Sequence, residues 1–202
     1  LRLVCGVICE SNLPVELGAH HLLPTWSRWS ACTGPGQALL DREFGVTGRE
    51  TRGDFANWDF SDQVACVADH IGKHFWRADA SVIVNSFGAY LLLHSLAGKV
   101  PFPGGILVLS PIVGGSFDTV SGQSFVPPRA GELNKLSREG AYPRPRACKI
   151  HVGKDDWQSN PDSVDLFAQP LGIPVGVLKG QGHMLDKAYV CGVLDEWLAD
   201  VQ

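Results

Sequence analysis

The sequence predicts a three-layer α/β/α sandwich on a mostly parallel sheet of about six strands. Its strand-like bursts are continuously apolar instead of alternating, as expected of strands buried on both faces, and helix-length segments stand between them. At 202 residues, 45% hydrophobic and 19% charged, the chain is long and apolar enough for one sizeable core, so a single domain over residues 1–202 is expected.

The first burst is residues 3–9. The opening LRLVCGVIC has Arg2 as its only early charge and runs into Glu10 without a small-residue cleavage site, so it reads as a strand and not as a signal peptide. A helix-length segment at 37–44 and a short strand near 45–51 follow. Ser61-Asp62 then introduce a helix over 62–75, in which Val64, Val67, Ala68, Ile71 and Phe75 recur at helical spacing. Residues 82–84 are a β-branched burst, and 89–97 a helix-forming apolar run. A further strand is expected at 105–109. Residues 114–145 are irregular and rich in Gly, Pro and Ser, with one helical segment at 131–139. A loop of that length usually covers or lines a site, and this one, with Phe117, Phe125 and Val126, is expected to form a partial lid. Strands at 149–152 and 175–178 alternate with helices at 163–168 and 187–201.

The net charge of -4, with no Lys/Arg block or basic stripe, argues against a nucleic-acid partner. No stretch approaches the roughly 18 uncharged apolar residues of a membrane span. Six scattered cysteines without a C-x-x-C pair read as reduced thiols in a cytoplasmic protein. His70 and His74 stand at i and i+4 without a third ligand at matching spacing, so no metal is expected, and His20-His21 is a weaker signal still. His94 and His151 lie in apolar runs and read as packed or hydrogen-bonded structural residues.

The chemistry starts at Asn85-Ser86-Phe87-Gly88, where a buried strand turns at once into a helix. A serine at such a tip stands above the sheet edge, beside the free N–H groups and positive dipole end of the helix. Its hydroxyl is a weak nucleophile until a base takes its proton and a third group orients that base. Two later strand ends supply candidates: Gly153-Lys154-Asp155-Asp156-Trp157 carries a carboxylate pair, and Lys179-Gly180-Gln181-Gly182-His183 an imidazole. In a parallel sheet the carboxyl ends of the strands share one edge, so Ser86, one aspartate of the pair and His183 can converge there.

With these three segments the chain resembles a small member of the α/β-hydrolase superfamily, over nearly everything from Leu3 to Leu198 and without that family's first antiparallel strands. The order Ser, Asp, His at strand ends matches the family order, with VNSFG as nucleophile elbow, VGKDDW as acid loop and GQGH as histidine loop. The family's acid lies three residues after the loop glycine, which selects Asp156 over Asp155. The resemblance implies a cofactor-independent serine hydrolase acting on a small-molecule acyl substrate, with carboxylesterase chemistry foremost and thioesterase, amidase or peptidase chemistry within reach. Its oxyanion hole would use the backbone N–H of Phe87 and, by analogy, of Glu10 or Ser11. Trp26, Trp29 and Phe125 are candidates for the substrate pocket.

Two departures stand beside the likeness. Val84 replaces the first glycine of G-x-S-x-G, which calls for compensating space or a slightly opened turn. Cys9-Glu10 replaces the usual His-Gly after the first strand. Both motivate an alternative, a non-catalytic ligand- or partner-binding protein that keeps the hydrolase fold.

Overall fold

The computed structural model describes residues 4–8, 45–48 and 53–200. In chain order they form β1 (Val4–Ile8), β2 (Gly45–Gly48), a 3-10 turn (Gly53–Asn57), α1 (Phe60–His74), β3 (Ala80–Asn85) and α2 (Ser86–Leu96). Then come β4 (Gly105–Pro111), the short β5 (Ser116–Phe117) and β6 (Ser124–Phe125), α3 (Glu132–Arg138), β7 (Ala147–Gly153), α4 (Pro161–Ala168), β8 (Val175–Leu178) and α5 (Lys187–Asp200). The short strand expected near 45–51 is realised as β2, whereas the helix expected at 37–44 lies outside the described residues.

Among the described residues one sheet of six strands runs in the order β2-β1-β3-β4-β7-β8. Every neighbouring pair in it is parallel. The register aligns Ile8 with Val84, Val84 with Val108 and Leu109 with His151, so the carboxyl ends of the central strands finish together.

The continuous apolarity of β3 and β4 follows from cover on both faces. Val82, Val84, Ile106 and Val108 join the larger core with α1, α2 and α4, through Val67, Ile71, Leu92, Val164 and Phe167. The alternate residues Ile83, Leu107 and Leu109 face a second core built by Val190, Leu194 and Trp197 of α5. Each such side chain, fully buried, contributes about 1.5–3 kcal/mol relative to exposure. The indole N–H of Trp197 is satisfied inside this layer by the Ser81 hydroxyl at 2.6 Å.

Helix starts differ from the sequence expectation for local reasons. α1 begins at Phe60 with Asp59 in the cap position, and Ser61, expected as the cap, instead accepts a hydrogen bond from Arg129 at 3.0 Å. α4 begins two residues before the expected 163, because Asn160 caps the N–H groups of Asp162 and Ser163 at 3.0 and 3.2 Å while Pro161 takes a position that needs no donor. Within 114–145, β5 and β6 pair as a small antiparallel hairpin, and Asp118 accepts from the Val120 N–H at 2.9 Å in its turn. The later part of this segment is anchored: Leu133 and Tyr142 are buried, and the Tyr142 hydroxyl donates to the Leu93 carbonyl at 2.9 Å. No helix among the described residues is long and apolar enough to cross a membrane.

Candidate functional site

β3 passes into α2 without an intervening residue, and Ser86 takes φ 48°, in the left-handed region. A non-glycine residue held there stores about 1–3 kcal/mol and needs its surroundings to fix it. The end of β4 does so: Pro111 forms a bridge with Ser86, and the Ile112 N–H donates to the Ser86 carbonyl at 3.3 Å. That bond also fixes the peptide plane joining Ser86 to Phe87. The peptide is trans, so the Phe87 N–H points the opposite way, at the start of a helix whose first N–H groups have no intrahelical acceptor. Val84 is wholly buried in the larger core and Ser86 still reaches the left-handed turn, so the space Val84 requires exists.

β7 and β8 bring the other two groups. Ser86 Oγ lies 2.8 Å from His183 Nε2, and His183 Nδ1 lies 2.9 and 3.1 Å from Oδ2 and Oδ1 of Asp156. Asp156 is 2% exposed, and its Oδ1 also accepts from the N–H groups of Gln158 at 3.0 Å and Ser159 at 2.8 Å. An ionised carboxylate only accepts, so this pairing puts the imidazole proton on Nδ1 and leaves Nε2 as an acceptor facing the Ser86 hydroxyl. Asp155 is exposed and meets the histidine loop through its backbone, its N–H donating to the Gln181 carbonyl at 2.9 Å. Of the aspartate pair, Asp156 is thus the one brought to His183.

The two loops touch backbone to backbone. A Cβ added at Gly153 would stand 2.2 Å from the Gln181 carbonyl oxygen and 2.3 Å from that of Gly182. Only glycine at the end of β7 lets the histidine loop close over the acid loop.

Sequence reasoning did not find Ser159. It is 1% exposed, donates its hydroxyl to the Ser110 carbonyl at 2.6 Å, and places its oxygen 3.4 Å from His183 Nδ1. Its only sequence signal is a hydroxyl three residues after the acid.

A cleft of about 260 Å3 opens beside Phe87, lined by Ala56, Trp58, Phe60, Gln63, Phe87 and Pro128. Phe125 of β6 is not among the residues that line this cleft; its ring is half-buried against the larger core. Glu10, Ser11, Trp26 and Trp29 lie outside the described residues. Trp58 and Phe60, which supply the aromatic walls, precede or begin α1 and gave no sequence sign of facing the Ser86 turn.

Four further histidines lie among the described residues. His94 is buried edge-on to the Tyr90 and Phe60 rings, and among the described residues its ring nitrogens have no hydrogen-bond partner. Burial, with the Arg129 charge added, pushes its imidazole down to about 4. His151 Nδ1 lies 2.8 Å from the Tyr189 hydroxyl. The His70 and His74 rings are 4.7 Å apart on α1, and no group of three side chains placed to hold a metal occurs among the described residues.

No family model and no curated protein matches the sequence. The fold matches solved structures. The monoacylglycerol lipase of Paleococcus ferrophilus superposes with TM-score 0.62 at 12% identity, over 98% of this chain and 95% of that one. A protein of unknown function from Agrobacterium tumefaciens, grouped with the α/β hydrolases, gives TM-score 0.58 at 15% identity over 98% of this chain and 84% of the other. An uncharacterized protein of Bacillus cereus gives 0.61 at 12% identity over the whole of this chain, which spans 59% of that protein's length. Identities this low speak to architecture alone, and in architecture the chain has the α/β-hydrolase fold.

Proposed function

We propose that the protein is a serine hydrolase that cleaves a carboxylic ester or related acyl bond through an acyl-enzyme. The observation that carries this reading is His183, with one ring nitrogen 2.8 Å from Ser86 Oγ and the other 2.9 Å from buried Asp156. In the first step Ser86 Oγ attacks the acyl carbon while His183 Nε2 takes its proton, and Asp156 stabilises the imidazolium. The Phe87 N–H donates to the developing oxyanion, with Glu10 or Ser11 expected to supply the second donor. Collapse of the tetrahedral intermediate expels the alcohol, which takes the proton from His183. Water, deprotonated by the same nitrogen, then attacks the acyl carbon, and release of the acid restores Ser86. No cofactor enters these steps.

The cleft beside Phe87 would hold the acyl or alcohol group. An apolar cavity of about 150 Å3 holds benzene, so about 260 Å3 suits a group somewhat larger than a phenyl ring. Short or aryl esters fit that space better than long lipid chains. The non-catalytic alternative drew on Val84 and on Cys9-Glu10; the latter pair lies outside the described residues, while the left-handed Ser86 behind a buried Val84 supports the catalytic reading on the first ground.

Turnover of a panel of short p-nitrophenyl esters and thioesters tests the reading. Hydrolysis should fall by at least ~1000-fold in both Ser86→Ala and His183→Ala. Turnover that survives Ser86→Ala would assign the reaction elsewhere.

A further inference from the structure

We infer that Ser159 is a positioning residue that locks the acid loop to the end of β4 and so sets Asp156 and His183 in register with the Ser86 elbow. This rests on the proposed role of Ser86, Asp156 and His183 and adds a fourth side chain to them.

The connection is continuous. From the acid loop, the Ser159 hydroxyl donates to the Ser110 carbonyl at 2.6 Å, while its own N–H donates to Asp156 Oδ1 at 2.8 Å. Ser110 sits at φ 42° and is buried, so the tip of β4 is itself held in a constrained turn. Two residues on, the Ile112 N–H bonds the Ser86 carbonyl and orients the Phe87 N–H. Acid loop, β4 tip and elbow are therefore joined by a hydroxyl, a carbonyl and two residues of backbone.

Because the Ser159 proton is committed to Ser110, the oxygen presents lone pairs to its other neighbours. His183 Nδ1 stands 3.4 Å away, so the Nδ1–H faces a second, weaker acceptor beside Asp156. This contact opposes ring rotation about the Asp156 hydrogen bond and favours the tautomer that leaves Nε2 free for Ser86. Outer partners of this kind cost about 10–100-fold in metal sites when removed, and displacement of a reacting group by about 1 Å costs a similar amount.

The experiment compares wild type with Ser159→Ala, Ser159→Cys and Ser159→Thr. Cysteine fills the space but donates weakly, which guards against a packing defect in alanine; threonine keeps the hydroxyl. Expected are a kcat lower by on the order of tenfold in Ala and Cys, with KM unchanged and activity recovered in Thr. In parallel, the proton resonance of the His183 Nδ1–H hydrogen bond should move upfield or broaden in Ala and Cys and return in Thr. An Ala variant that loses thermal stability but keeps kcat and this resonance would overturn the proposal. If wild type has no turnover, the serine-hydrolase reading fails, and the resonance still decides whether Ser159 holds His183.

Discussion

Gly153→Ala offers a steric test of how the acid and histidine loops meet. The added Cβ would lie 2.2 Å from the Gln181 carbonyl oxygen, against a floor of 3.0 Å for real Cβ contacts, and its other close neighbours are also backbone. No rotamer change relieves the clash, so the Gln181–Gly182 segment must retreat by about 0.8 Å or β7 must bend. Overpacking of this kind costs about 1–3 kcal/mol. His183 follows Gly182 directly, so the retreat passes into the ring that bridges Ser86 and Asp156. A misplacement near 1 Å is worth on the order of 100-fold in rate. The assay is steady-state hydrolysis of a short p-nitrophenyl ester together with thermal unfolding of the same preparations. The expected variant folds, melts several degrees lower and loses far more kcat than its stability loss explains. Wild-type kcat and Tm in Gly153→Ala would refute the close approach and the coupling built on it.

Asp156→Asn should keep the fold but lower kcat by on the order of 10000-fold, since an amide can hold the imidazole in the wrong tautomer; Asp155→Asn, measured beside it, should stay within a few-fold of wild type. His94 should make the protein acid-sensitive. Its imidazole stays neutral in the fold down to about 4 but protonates near 6.5 when unfolded, so the unfolded state binds the extra proton between those values and stability falls as pH drops through the window. The full effect is about 3 kcal/mol. Arg129, Glu132 and Tyr90 face the same ring, and chemical denaturation of His94→Leu at pH 7 and pH 4.5 should show a smaller pH difference than wild type. Trp58→Ala, which opens one wall of the cleft, should raise KM for a phenyl ester several-fold and leave the acetate-to-butyrate series nearly unchanged; equal effects on both would place the cleft away from the substrate.

The parts legible in sequence were those written in short-range pattern. Continuous apolar runs at β3 and β4 announced strands covered on both sides, the apolar bursts at β7 and β8 announced strands that prove only partly covered, with Val177 of β8 exposed, and the abrupt change at Asn85-Ser86 announced the elbow. Asp156 and His183 were readable because each closely follows a strand, and parallel strands deliver their ends to one edge. What escaped was set by tertiary contact. Ser159 looks like any loop serine until the tip of β4 arrives beside it from 49 residues away. Trp58 and Phe60 stand far in sequence from Phe87, and the walls of a cleft follow from how α1 leans on α2, which periodicity does not encode. Phe125 pairs with Ser116 in the short β5–β6 hairpin and packs on the larger core, contacts that its loop-rich sequence surroundings do not encode. Val84 breaks the small-residue rule of the elbow without breaking the turn, since the core around it has room for a branched side chain.

The decisive measurement is covalent labelling with a fluorophosphonate probe, mapped by peptide mass spectrometry. The geometry at Ser86, His183 and Asp156 predicts a single adduct on Ser86, formed rapidly in wild type and slowed by orders of magnitude in His183→Ala. An unlabelled Ser86, or one labelled equally fast without His183, would contradict it.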